Sequence, residues 1–373
     1  MKIQTLLEAT GQVGRKYQHI EDLVVANGSV GGLHAVERMK HMVDNYDSIE
    51  LKWDGMPVVY WGRDSKGNFQ MIPKNAWQYL KSGKTQTGSG ANTVMNSAKD
   101  VYNFIMGTGS DGGERSNFAQ MFASWWPYFE KISPKRGFIE GGLLFYPEQM
   151  PEVNPRTKTY DFKPNITTFH VPVDSELGKR ISKAKMMVAA TGYFADYSAE
   201  ESRFPNAEKL STPDVIVQGT TYAEQLPGVS TKGLDKVEKF IKANAQIIDN
   251  YLSPKPGLKY PGGELYTYLN QHLRTSGLVK DFPAWAQQNL SEKKAQTMLS
   301  DVEGYQKTLG AVEALTNEKM NIIKSLNSAI HHGIMQTNPE GYAQAHPEVN
   351  FNNPLPGQFV KLIDQMTWKP RKL

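Results

Sequence analysis

The chain has 373 residues, with 42 Lys+Arg against 38 Asp+Glu for a formal charge of +4, and it contains no cysteine. That length allows two domains, or one large domain with an insertion. The apolar set at 39% together with 32 glycines matches a globular chain rather than a disordered one. The missing thiols exclude a disulfide framework, thiolate zinc sites and cysteine nucleophiles. The mild positive balance admits an anionic partner without identifying one. No run is apolar over the ~18 residues a membrane span needs, and MKIQTLLEATGQ lacks the apolar stretch of a signal peptide. The expected location is the cytoplasm, with no membrane contact.

Residues 1–46 carry helical periodicity: Ile3, Leu6 and Leu7 first, then Leu33, Val36, Met39 and Val43 after the glycine-rich break at Gly28–Gly32. From Asp47 the texture changes to short strands, SIELKW and MPVVYWGR, then a turn at Asp64–Asn68 and FQMIPK, which predicts a hairpin. A polar Gly/Ser/Thr-rich stretch covers 82–91, and the helix after it turns Phe118, Phe122, Trp125 and Trp126 to the core. GFIEGGLLFY at 137–146 and TYDFKPNITTFHVPV at 159–173 read as two further strands joined by a proline-containing loop. Beyond Asp174 the periodic sets Leu234/Val237/Ile241, Leu265/Leu269/Leu273 and Val312/Leu315/Ile322/Leu326/Ile330 predict a largely α-helical block over 175–335. Strand texture returns at 340–345 and 358–363. The expected fold class is α+β: a β-rich domain formed by 1–174 plus 336–373, interrupted by a helical insertion domain at 175–335.

The segment Glu50-Leu51-Lys52-Trp53-Asp54-Gly55 concentrates chemistry. With a strand's period of two, Glu50, Lys52 and Asp54 project from one face. Three ionisable groups on one face are costly to bury, so that face meets solvent or lines a polar pocket. A lysine in such a pocket becomes a nucleophile once its ammonium loses a proton, which a dry or cation-rich setting promotes. The plainer reading is an exposed charged face on an edge strand.

E-L-K-W-D-G resembles motif I of the covalent nucleotidyltransferase superfamily, the ATP-dependent DNA and RNA ligases and the mRNA capping enzymes, where E-x-K-x-D-G carries the lysine that takes up the nucleotide. The resemblance continues in order. FIEGGLLFY at 138–146 is similar to motif III, and TTFHVPV at 167–173 occupies the place of motif IIIa. Pro339-Glu340-Gly341-Tyr342 is similar to motif IV, and Phe359-Val360-Lys361-Leu362 to the lysine strand of motif V. The core from KWDG to PNITTFHVP also resembles a group of tailed-phage proteins placed near these ligases. The resemblance implies an antiparallel-sheet nucleotidyltransferase (adenylation) domain.

Carried over by position, the resemblance makes Lys52 the nucleophile toward the ATP α-phosphate, with Asp54 holding the ribose or organising the lysine. Glu50 would meet the adenine edge and Gly55 would close the motif. Glu340 would bind a divalent metal or orient the lysine, and Lys361 would neutralise charge on the α-phosphate. Magnesium and ATP are the implied cofactors, since a hard cation suits phosphates and oxygen ligands. The chain departs from the pattern at Pro57, where the superfamily usually has arginine, and at Gly142, where the motif III glutamate falls. Glu140, two residues earlier on the same face, is the expected substitute. Only Lys361 is clear in motif V, followed by Ile363.

Several further residues carry two readings. Lys74 is either a phosphate contact or a solvated strand-end lysine. Phe169 either stacks on adenine or belongs to the core. Lys179, Arg180, Lys183 and Lys185 place four cations within seven residues, as a nucleic-acid grip or a solvated surface. His331 and His332 point about 100° apart on a helix, which argues against a shared metal. GKTQTGSG at 83–90 lacks the order of a phosphate-binding P-loop.

Twelve residues follow Lys361, too few for a C-terminal OB-fold, which points toward small RNA ligases with an appended helical domain. The expected function is an ATP-dependent polynucleotide ligase acting on nucleic-acid ends, RNA ahead of DNA, through a lysyl-AMP intermediate. The alternative is a non-catalytic phage module that keeps the core for binding nucleic acid or protein.

Overall fold

A computed structural model describes residues 18–88, 90–108, 113–202, 204, 206–272, 277–329, 331, 334–337, 341–345 and 359–363. Its strands, in chain order, are β1 (Gln18–His19), β2 (Glu50–Leu51), β3 (Val58–Arg63), β4 (Phe69–Pro73), β5 (Gly137–Phe145), β6 (Glu152–Asn154), β7 (Thr159–Phe162), β8 (Thr168–Pro172), β9 (Met186–Phe194), β10 (Val215–Gln218), β11 (Thr221–Tyr222), β12 (Met335–Thr337), β13 (Tyr342–Ala345) and β14 (Phe359–Leu362). They form three sheets, ordered β10-β9-β5-β3-β4, β1-β14-β13-β2-β11 and β12-β8-β7-β6. Pairing is antiparallel except for β1 with β14 and β9 with β10. The architecture is α+β.

The expected hairpin is β3–β4. Its turn is written in the sequence: Asp64 accepts from the backbone N–H of Lys66 and Asn68, each at 2.9 Å, and Gly67 takes φ +85°. This is the local side-chain competition with the backbone that favours Asp in turns. Behind the hairpin the central sheet buries Trp61, Met71, Phe138, Ile139 and Val188 with Phe122, Trp125 and Phe129 from the helices that follow.

The long helix Asp22–Asp44 breaks where the glycine run predicts, at Asn27 and Gly28, the latter at φ +60°. Asp249, on the helix Ala245–Leu252, accepts from Ser29 N at 2.7 Å and Ser29 Oγ at 2.8 Å. The carboxylate thus caps the restarted turn from a second helix. Residues 1–17, including Ile3, Leu6 and Leu7, lie outside the described residues.

The expectation of a largely helical 175–335 is corrected. β9 and β10 are strands of the central sheet, and β11 joins the second sheet. Helices dominate only from Lys232 to Ser328. The cause is burial: β9 runs MMVAATGYF with its first four residues buried, so it shows no apolar–polar alternation to identify it. The helices Lys232–Ala243 and Val302–Ser328 pack with Asp22–Asp44 over one face of the second sheet, burying Leu51, Tyr342, Val360 and Leu362. The third sheet packs Phe162, Phe169 and Val171 against Phe145, Met187 and Ile216 of the central sheet. Among the described residues no helix is long and apolar enough to cross a membrane.

Candidate active site

The second sheet buries one face under helices, and register fixes what the other face presents. Lys361 pairs with His19 on β1 and with Ala343 on β13, Ala343 pairs with Glu50 on β2, and Glu50 pairs with Tyr222 on β11. Directly paired residues share a face. One cross-strand row therefore reads His19, Lys361, Ala343, Glu50, Tyr222.

Lys52 lies just past β2, and its N–H donates to Gly341 O at 3.2 Å, extending the β2–β13 register by one step. Gly341 has φ +134°, and a Cβ there would lie 2.3 Å from Leu362 O. Only glycine fits that backbone. With Gly341, just before β13, and Ala343 on β13 between them, Lys52 and Lys361 approach across small side chains. Burial pushes the Lys52 ammonium down to about 8, the Asp54 carboxylate opposes the shift, and the positive charge of Lys361 adds to it. Desolvation and a like charge both disfavour the protonated amine.

Asp54 does not share the row, which corrects the expectation of three groups on one strand face. The strand ends at Leu51, and Asp54 is buried. Its carboxylate accepts from Asn165 Nδ2 at 2.8 Å, Ile166 N at 2.7 Å and Thr167 N at 3.0 Å. Both oxygens are engaged, and these bonds tie the loop that follows Lys52 to residues 165–167. Trp53 donates from Nε1 to Thr221 Oγ1 at 3.2 Å and packs on Phe169 with ring centroids 4.9 Å apart.

Gly55 lies against Gly142. A Cβ on Gly55 would stand 2.4 Å from Gly142 C, and one on Gly142 would stand 2.5 Å from Gly55 O. Met56 N donates to Leu143 O at 2.7 Å and Leu143 N to Pro57 O at 3.1 Å. The loop from Lys52 to Pro57 is thus stitched to β5, and the backbone contact at Gly55 leaves no room for a side chain at position 142. Glu140 pairs with Tyr60 on the central sheet, where burial and the bond to Glu140 raise the phenol. The charges that shift Lys52 are Asp54 and Lys361.

Phe169 is a correction. It is fully buried, against Trp53 and against Phe162 at 5.4 Å, and has no exposed face for a base. Lys74 is exposed at the first position of the helix Lys74–Lys81, after edge strand β4, rather than on a strand. Lys179, Arg180, Lys183 and Lys185 are all exposed. Three of them have partners: Lys179 pairs with Glu176 at 2.8 Å, Lys185 with Asp214 at 3.4 Å, and Arg180 donates to Ser211 Oγ at 3.0 Å. Glu340 and His332 lie outside the described residues. His331 is a core residue, accepting from Glu224 N at 3.1 Å, with Nε2 3.0 Å from Leu326 O.

Sequence reasoning missed His19, Asn165, Thr221 and Tyr222. His19, Thr221 and Tyr222 are revealed only by the pairing of β1 and β11 with strands far along the chain, and Asn165 only by its bond to Asp54.

Residues 110–369 match the family model described as "Family of unknown function (DUF6267)". No curated protein and no solved structure shows significant similarity to the chain. The matched segment carries β5 through β14, including β5, β9 and β10 of the central sheet and Lys361, and begins downstream of Lys52. It spans well over half of the chain, and the protein belongs to this family.

Proposed function

We propose that this protein is a nucleotidyltransferase whose Lys52 takes up AMP from ATP, and that it serves as a polynucleotide ligase, RNA ahead of DNA. The observation that carries the reading is the half-buried Lys52 amine, pushed down to about 8, beside Lys361 on the polar face of the second sheet. Near neutral pH an appreciable fraction of such an amine is unprotonated, as nucleophilic attack requires. Lys361 places a fixed cation where charge would spread over an α-phosphate.

In the first step the Lys52 Nζ lone pair forms a bond to the α-phosphorus. The bond from that phosphorus to the bridging oxygen breaks, pyrophosphate departs with the electron pair, and the amine loses one proton. Magnesium enters as the counter-ion of the triphosphate substrate. Asp54 keeps the loop in place through its three hydrogen bonds and contributes its negative charge to the balance on Lys52. By resemblance, AMP would then pass to a 5′-phosphate, and a 3′-hydroxyl would attack and expel AMP. The exposed cations at 179–185 would meet the nucleic-acid backbone.

The competing reading is a non-catalytic binding module, favoured by the glycine contact that occupies the place of the motif III acid. Incubation with magnesium and either α-labelled or γ-labelled ATP, followed by a denaturing gel, separates the two. Nucleotidyl transfer gives label from the α position alone, lost in Lys52→Ala. A binding module gives none from either.

A further inference from the structure

We infer that Tyr222 is the nucleobase platform of this site, an assignment that rests on the nucleotidyl-transfer reading above. Phe169, the aromatic expected for that task, is sealed in the core at 0% exposure, whereas Tyr222 is 37% exposed. Tyr222 pairs directly with Glu50, so its ring rises from the same face as Glu50 and Lys361. Directly paired side chains have Cβ atoms about 5 Å apart. A flat heterocycle lying on the ring would therefore bring its edge to the Glu50 carboxylate, which accepts hydrogen bonds from an exocyclic amine. An aromatic ring supplies stacking to any base, and the acceptor beside it selects one that carries an amino group.

The short strand that carries the ring is fixed to the lysine motif. Thr221 Oγ1 accepts from Trp53 Nε1 at 3.2 Å and from Gln218 Nε2 at 3.0 Å, and Ala223 N donates to Ile49 O at 2.8 Å. Tyr222 is thereby held in register with the strand that leads into Lys52. The same sheet face presents, in order, a cation for phosphate, a carboxylate and an aromatic plane.

The test measures equilibrium binding of α,β-methylene-ATP, which cannot release pyrophosphate, by calorimetry with the full chain and magnesium. Competition by inorganic tripolyphosphate, which has no base, is measured alongside. Tyr222→Ala is expected to weaken the nucleotide analogue about tenfold or more and to leave tripolyphosphate within twofold of wild type. Tyr222→Phe, which keeps the ring, is expected to bind both ligands like wild type. Equal analogue affinity in wild type and Tyr222→Ala, equal loss of both ligands, or no analogue binding by wild type would overturn the assignment. Analogue binding without transfer from ATP would instead refute the chemistry of Lys52 and leave the platform standing.

Discussion

Lys52, just past β2, and Lys361 on β14 are 309 positions apart in the chain and stand on one sheet face, with only Gly341 and Ala343 of the intervening β13 segment between them. Burial and the charge of Lys361 lower the Lys52 amine to about 8 against the opposing pull of Asp54. Self-labelling by ATP should therefore rise with pH through an inflection near 8. Lys361→Met removes the neighbouring cation, so the inflection moves to higher pH and the rate at pH 7 falls several-fold. A pH–rate profile of label incorporation for both proteins checks this, and a profile unmoved by Lys361→Met would contradict it.

A lysine whose folded-state pKa lies below its ordinary value of 10.5 weakens the fold while it is charged. Below about pH 8 it is charged in both states and the full cost is present. Between about 8 and 10.5 the unfolded chain binds more protons, and stability rises with pH. Lys52→Met should thus be more stable than wild type at pH 7, by roughly 1–2 kcal/mol after allowance for partial exposure. The difference should shrink as the pH approaches 10. Urea titrations at pH 7 and pH 9.5 measure it.

Asp54→Asn replaces an acceptor of three hydrogen bonds by a group that turns an NH2 toward one set of donors. The expected cost is about 2–4 kcal/mol. Because Asp54 works against the lowering of Lys52, any labelling that survives should show its inflection at lower pH than wild type. The shift is opposite in sign to that of Lys361→Met, which separates an electrostatic effect from simple damage.

Gly142→Ala places a Cβ within 2.5 Å of Gly55 O. Backbone cannot yield there as a flexible side chain would, so the substitution should cost about 2 kcal/mol or more and displace the lysine loop. Gly142→Glu, which puts an acid where the resemblance to the ligases would have one, should lower labelling rather than raise it. Thermal melts and labelling of the two variants test the point.

Phe169→Ala should cost about 3–5 kcal/mol, as expected for a fully buried aromatic. Nucleotide affinity at a temperature where the variant remains folded should change by less than about twofold. A large loss of affinity without loss of stability would return Phe169 to the site.

The sequence revealed what local chemistry encodes. The β3–β4 turn follows from Asp64 and Gly67, the helix break from Gly28, and the lysine motif from its own six residues. It did not reveal β9 and β10, whose burial removes the alternation that marks a strand. Nor did it reveal Tyr222 or His19, because a strand of two residues has no periodicity and acquires meaning only from its partner. The role of Asp54 was read from resemblance as ribose contact or loop support. The three donors that its carboxylate meets were not legible, because they come from a segment more than a hundred residues away. Gly142 looked like a defect in motif III, whereas its contact with Gly55 makes it a packing requirement.

The most direct measurement is peptide mapping of the protein after incubation with magnesium and ATP near pH 8.5, with fragments kept at alkaline pH to preserve a phosphoramidate. One adenylylated peptide, the one containing Lys52, is expected, and none in Lys52→Met. An unmodified Lys52 peptide, or AMP carried on a different residue, would contradict this expectation.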